Sequence, residues 1–123
     1  VPIVLEEAPP ELALFAIRPA WVRIRSGDGD VIFEKILDAG EEYVLPQTEV
    51  APVLRAGMSG SLYFKVNGQL YGPAGKKTST IKNVSLSILA VTERYAKADV
   101  TLDPVLARML ALAKTQDEEQ LDE

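Results

Sequence analysis

Apolar and polar positions alternate in short runs along this chain, and glycine, asparagine, aspartate and proline separate the runs. The clearest pair of runs is Ala20 to Leu37, reading AWVRIRSGDGDVIFEKIL. Two segments rich in β-branched and aromatic residues flank Gly27-Asp28-Gly29-Asp30, and Asp-Gly between such segments signals a hairpin. Successive side chains of a strand point to opposite faces, so Ala20, Val22 and Ile24 share one side while Trp21, Arg23 and Arg25 share the other. One side reads as core and the other as wetted, as expected of an antiparallel sheet. The pattern predicts that this hairpin is the central ribbon of the domain.

The remaining runs extend the pattern. Glu11 to Arg18 is apolar on both faces, which fits a buried strand; a helix competes, but Pro19 and the shortness of the run favour the strand. Glu41 to Leu45 reads as a short strand ended by Pro46, and Ala51 to Ala56 as a strand whose Pro52 places it at an edge or near its start. Gly57 to Gly60 is a turn, and Ser61 to Val66 is an aromatic strand. Asn67-Gly68 suits a type I′ turn, with Gln69-Leu70-Tyr71 returning. Gly72 to Lys77 reads as a mobile loop. Thr80 to Tyr95 is expected to be one strand, with Val84, Leu86, Ile88 and Ala90 on its buried face. About seven short strands at roughly 8 to 12 residue spacing predict an all-β fold, an antiparallel β-sandwich (Ig-like or similar) or a barrel, over residues 11–95. Before it, residues 1–10 read as a proline-containing linker. After it, residues 96–123 read as an amphipathic helix capped by Asp103 and Pro104, then a disordered acidic tail. That helix either packs on its own domain or binds a partner.

Composition narrows the function classes. A chain of 123 residues is long enough for one domain with a real core. Without histidine, it lacks the usual neutral-pH acid/base group and the commonest metal ligand, so triad and zinc chemistry are not expected. Without cysteine, nothing indicates a redox compartment. The net charge of −5 argues against nucleic acid as a partner. No apolar run approaches the roughly 20 residues of a membrane span, and Val1 in place of methionine suggests a fragment or a processed chain.

Few residues suggest a site. Trp21 lies in register with Arg23 and Arg25, a combination favoured at protein interfaces and at sugar or anionic-polymer sites; alternatively, Trp21 covers the open end of the sandwich or stacks under a loop. Gly27 to Asp30 resembles a calcium loop only loosely, lacking the later acidic ligand, and reads as a plain turn. Gly72 to Lys77 lacks the spacing of a phosphate loop. Glu41 and Glu42 are not placed as a catalytic pair. Lys76, Lys77 and Lys82 read as a solvated positive patch. No catalytic residue, cofactor or metal is expected.

The stretches AWVRIRSGDGDVIFEKILDAGEEYVLP and VLRAGMSGSLYFKVNGQLYGPAG resemble the periplasmic C-terminal domain family of the bacterial cell-shape protein RodZ. In that family a Trp-Val/Leu-x-Val strand is followed by an Asp-x-x-Gly turn, a Leu-Phe strand and an Ala-Gly turn. The resemblance runs from Leu12 to Val91. Met58 and Ser59 depart from it, as do the helix and tail beyond Tyr95. It implies a non-enzymatic interaction module on the periplasmic side of the inner membrane. The full-length protein would be single-pass, with a cytoplasmic helix-turn-helix domain that holds the actin-like filament protein MreB, and its partners would be cell-wall elongation proteins. Trp21, Arg23 and Arg25 are then the first places to look for a contact. The competing expectations are a carbohydrate-binding β-sandwich module, which requires Trp21, Tyr43, Tyr63 and Tyr71 to supply several exposed aromatics in one plane, and a structural domain of an unrelated surface protein. The oligomeric state is left open.

Overall fold

Strand alternation is realised directly in Ala20–Arg25, where Ala20, Val22 and Ile24 are buried and Trp21, Arg23 and Arg25 face outward. The computed structural model describes residues 11–46, 48–99, 101, 103–109 and 111; the linker expected over 1–10 and the acidic tail lie outside them. Eight strands are present among the described residues: β1 (Leu12–Ala16), β2 (Ala20–Arg25), β3 (Val31–Leu37), β4 (Glu42–Val44), β5 (Val53–Ala56), β6 (Leu62–Val66), β7 (Gln69–Tyr71) and β8 (Ile81–Ser85). They form two antiparallel four-stranded sheets of order β4-β1-β6-β7 and β3-β2-β5-β8. This is the expected β-sandwich.

The core lies between the sheets. Leu14 and Phe64 from one sheet meet Val22, Ile24, Leu37 and Leu54 from the other, all six fully buried. Each such side chain contributes about 1.5–3 kcal/mol relative to exposure, so the inward face of each strand is what commits the chain to this stacking. Turns follow from local chemistry: Asn67 (φ 50°) and Gly68 (φ 87°) both take the positive φ that a type I′ turn demands.

Two expectations are corrected and one is narrowed. Thr80 to Tyr95 is not one strand: β8 ends at Ser85 and a helix, α1 (Ile88–Arg94), follows. The cause is Ser87, whose Oγ accepts a hydrogen bond from the backbone N of Ala90 at 3.1 Å and caps the helix. The apolar period then changes from two to about four, and Val91 and Tyr95 pack on the core. Of the two placements expected for Pro52, the one near the strand start holds: β5 is an interior strand between β2 and β8, and Pro52 precedes the ladder and disturbs none of its bonds. The loop Gly72 to Lys77 is tied down: Gly72, Ala74 and Gly75 donate backbone hydrogen bonds to Ala96, Leu62 and Ser59, and Ala74 is buried.

After α1 the chain crosses the outer face of the β4-β1-β6-β7 sheet. It turns helical over residues 104–109, capped by Asp103, whose Oδ1 accepts from the Val105 N at 3.0 Å. Leu106 is fully buried against Ile17 and Tyr63, with Phe15, Val105 and Met109 around them. Arg18 fastens this cover by donating two hydrogen bonds to the Asp103 carboxylate, at 3.1 and 2.9 Å.

Hydrogen bonding from Arg18 holds the Asp103 carboxyl below its ordinary value of 3.8. A depressed carboxylate contributes stability that is complete above the unfolded pKa and is lost as pH falls through the folded one. Protection of the 105–109 amides in hydrogen exchange is therefore expected to be flat from pH 7 to about 5 and to drop below about pH 4. Because the Arg18 side chain is 41% exposed, solvent screens the pair, and Asp103→Asn is expected to cost about 1 kcal/mol at pH 7 and to flatten this profile.

Candidate interaction surface

Covering one sheet leaves the outer face of the other, β3-β2-β5-β8, open among the described residues. The β2–β3 register sets its central row: Trp21 lies opposite Ile36, and Arg23 opposite Glu34. Directly opposed residues of an antiparallel pair share a face, so these four side chains all point outward. The Glu34 carboxylate gathers its neighbours. Its Oε2 accepts from Trp21 Nε1 and from Arg23 Nη2, each at 3.2 Å. Arg23 Nε, shut off from water, lies 3.2 Å from Oε1 at an angle that makes an ion pair but no hydrogen bond.

The Arg23 guanidinium sits 5.2 Å from the centre of the Trp21 ring, a cation–π contact. The hydrogen bond from Arg23, and secondarily that from Trp21, hold the Glu34 carboxyl below its ordinary range, so it is ionised at neutral pH. Trp21 is therefore half-buried and locked in orientation by its neighbours. It is not freely exposed, and Gly57, in the turn after β5, lies beside one ring edge. Ile36 beside it is 57% exposed, and Val31 and Ile32 on the same strand are also exposed. Arg25 lies at the end of the row, with Nη1 donating to the Gly29 carbonyl at 3.0 Å.

β3 is the outermost strand of its sheet, so the hairpin read as central has one arm at the rim. Its Lys35 faces the sandwich edge and pairs with Glu41, a charge of the kind that discourages edge-to-edge association.

Other sequence candidates are dispersed. Gly27 to Asp30 forms the hairpin turn, closed by Ser26 N to Asp30 O at 2.7 Å and Gly29 N to Ser26 O at 2.9 Å. Glu41 pairs with Lys35 and accepts from the Asp38 N, whereas Glu42 pairs with Lys65, so the two carboxylates serve different strands. Tyr43 stacks on Phe33 at 3.8 Å between the sheets, Tyr63 is buried beneath Leu106, and Tyr71 packs on the core from β7. These three tyrosines and Trp21 do not share a plane, so the platform a sugar-binding module requires does not form from them. Lys77 lines a cleft with Arg18 and Met58, while Lys82 lines a separate concavity with Arg23, Arg25 and Arg55. Sequence reading missed Glu34, Ile36 and Arg55. Counting back from the Asp-Gly turn could have paired Arg23 with Glu34, but the bulge at Ile24/Arg25 shifts that count.

Comparison with known proteins gives one family: the model described as RodZ C-terminal domain matches residues 13–85. That span runs from β1 through the end of β8 and includes the whole open face. No curated protein and no solved structure matches the chain.

Proposed function

The chain belongs to the RodZ C-terminal domain family, and from that premise we propose that it serves as the periplasmic protein-interaction domain of a membrane-anchored cell-shape protein. In this reading, the domain connects the MreB cytoskeleton, held on the other side of the membrane, to the peptidoglycan elongation machinery. Its work is binding, not turnover. The observation that carries the reading is the asymmetry of the sandwich. One outer face is closed by the chain's own helical segment, while the other presents an oriented tryptophan, an exposed isoleucine and arginines, the residue types that dominate protein interfaces.

The test is to replace Trp21 by alanine together with Ile36 by serine in the full-length protein. Because both residues lie outside the inter-sheet core, the purified domain is expected to lose no more than about 2 kcal/mol of stability and to stay folded. Capture of elongation proteins should fall about tenfold or more, the scale of a lost interface anchor, and the cells should lose rod shape. Undiminished capture by a folded double variant would refute the assignment of this face.

A further inference from the structure

One strand away from Trp21, the open face becomes cationic. Arg23 on β2 is paired in register with Arg55 on β5, a like-charge juxtaposition that costs stability in a sheet. Glu34 pairs directly with Arg23, and only its longer-range charge reaches Arg25. Arg55 and Lys82 are exposed and make no ion pair among the described residues, and the hydrogen bond of Arg25 goes to a backbone carbonyl, with no carboxylate in direct contact. Lys82 reaches this cluster because of an irregularity in β8. Between the pairs Leu54–Val84 and Ala56–Ile81, the single residue Arg55 faces two, Lys82 and Asn83, and Asn83 takes a left-handed backbone at φ 58°. A bulge of this kind re-aims a side chain, here into a shallow concavity of about 140 Å³ that it shares with the three arginines. Four cations thus converge against one carboxylate on a protein whose net charge is −5.

We propose that this concavity receives the carboxylate side chains of an acidic segment of a protein partner, with Trp21 and Ile36 holding an adjacent apolar residue of the same segment. This deepens, and rests on, the assignment of the open face as a docking surface. Arginine forks match carboxylates in bidentate geometry, and the apolar pair beside them gives a reason for a polypeptide over a simple anion. A short segment also senses only the charges within about one screening length of 8 Å, whereas an extended anionic membrane would meet the rest of an acidic domain.

The probe is a labelled hexapeptide of alternating glutamate and leucine, titrated into the domain while its amide resonances are observed. The controls are the same peptide with glutamine for glutamate and vesicles containing phosphatidylglycerol. Saturable shifts at residues 23, 25, 55, 82 and 83 are expected for the glutamate peptide only, with affinity falling about tenfold between low and physiological salt. Arg55→Glu with Lys82→Glu should weaken binding at least about tenfold, the result of replacing attraction by like-charge repulsion. Equal binding of the glutamine peptide, shifts on another face, indifference to charge reversal, or capture by vesicles but not by peptide would each overturn the inference.

In cells, the full-length Arg55→Glu/Lys82→Glu variant is compared with the Trp21→Ala/Ile36→Ser variant. Loss of partner capture in both supports the inference. Loss in the second alone overturns acidic recognition and leaves the docking face standing, and loss in neither removes both.

Discussion

Replacing Phe64 by alanine is expected to remove about 4 kcal/mol from the unfolding free energy, the largest effect of any single truncation considered for this domain. Phe64 has no exposed surface, lies opposite Leu14 on β1 and Tyr71 on β7, and its ring centre is 4.8 Å from that of Tyr95 at the end of α1. It thus joins one sheet to the helix that closes the core, and truncation opens a cavity that three different elements would have to fill. A domain of this size has roughly 5–15 kcal/mol in total, so the urea midpoint should collapse while the denaturant slope stays unchanged. Phe64→Leu, which keeps most of the volume, should cost less than about 1.5 kcal/mol. Tyr95→Phe keeps the ring contact and loses only the hydrogen bond from Oη to the Ala74 carbonyl, at 3.0 Å, for about 1 kcal/mol. A loss below about 1 kcal/mol for Phe64→Ala is what a surface position gives and would contradict the placement of this ring in the core.

The second large effect is expected at Leu106, where alanine should cost about 3 kcal/mol by emptying the contact with Ile17 and Tyr63 outside the sheet. Its consequence is separable from general destabilisation. Burial raises the Tyr63 phenol above its ordinary value of 10.0, so loosening the cover should lower its titration toward that value, followed by absorbance against a Tyr63→Phe reference. The direction is fixed by the cause: readmitting water favours the phenolate and brings the pKa down. If Leu106→Ala leaves both stability and the Tyr63 titration unchanged, the helical segment is not what shields this face. Such a result would also remove the asymmetry on which the choice of docking face depends.

The fold class was legible because it rests on local chemistry. Alternation in AWVRIR assigned the buried and outward sides of β2 correctly, and Asn67-Gly68 announced its turn, since side-chain direction and positive φ are properties of a few adjacent residues. The helical start at Asp103 was legible for the same reason. Ser85 to Tyr95 was not. A short apolar run satisfies both periods, and the choice between them falls to one hydroxyl, that of Ser87, whose capping bond counts only once Val91 and Tyr95 have a core to enter. The site was legible by half. Trp21, Arg23 and Arg25 follow from alternation, but Glu34 and Arg55 enter only through cross-strand register, and a bulge changes that register without a sequence sign.

By itself, the sequence determined that this chain builds antiparallel strands with one apolar face each, and which residues of β2 point away from the core. Tertiary structure alone decided which outer face stays open. Both sheets carry apolar side chains outward, Phe15 and Tyr63 on one and Trp21 and Ile36 on the other, so strand pattern cannot rank them. The ranking comes from a segment more than forty positions downstream of Tyr63, which the Arg18–Asp103 pair and Leu106 bring back onto one sheet and not the other. Removing that face from water leaves, among the described residues, the face of Trp21 and the arginines as the open one.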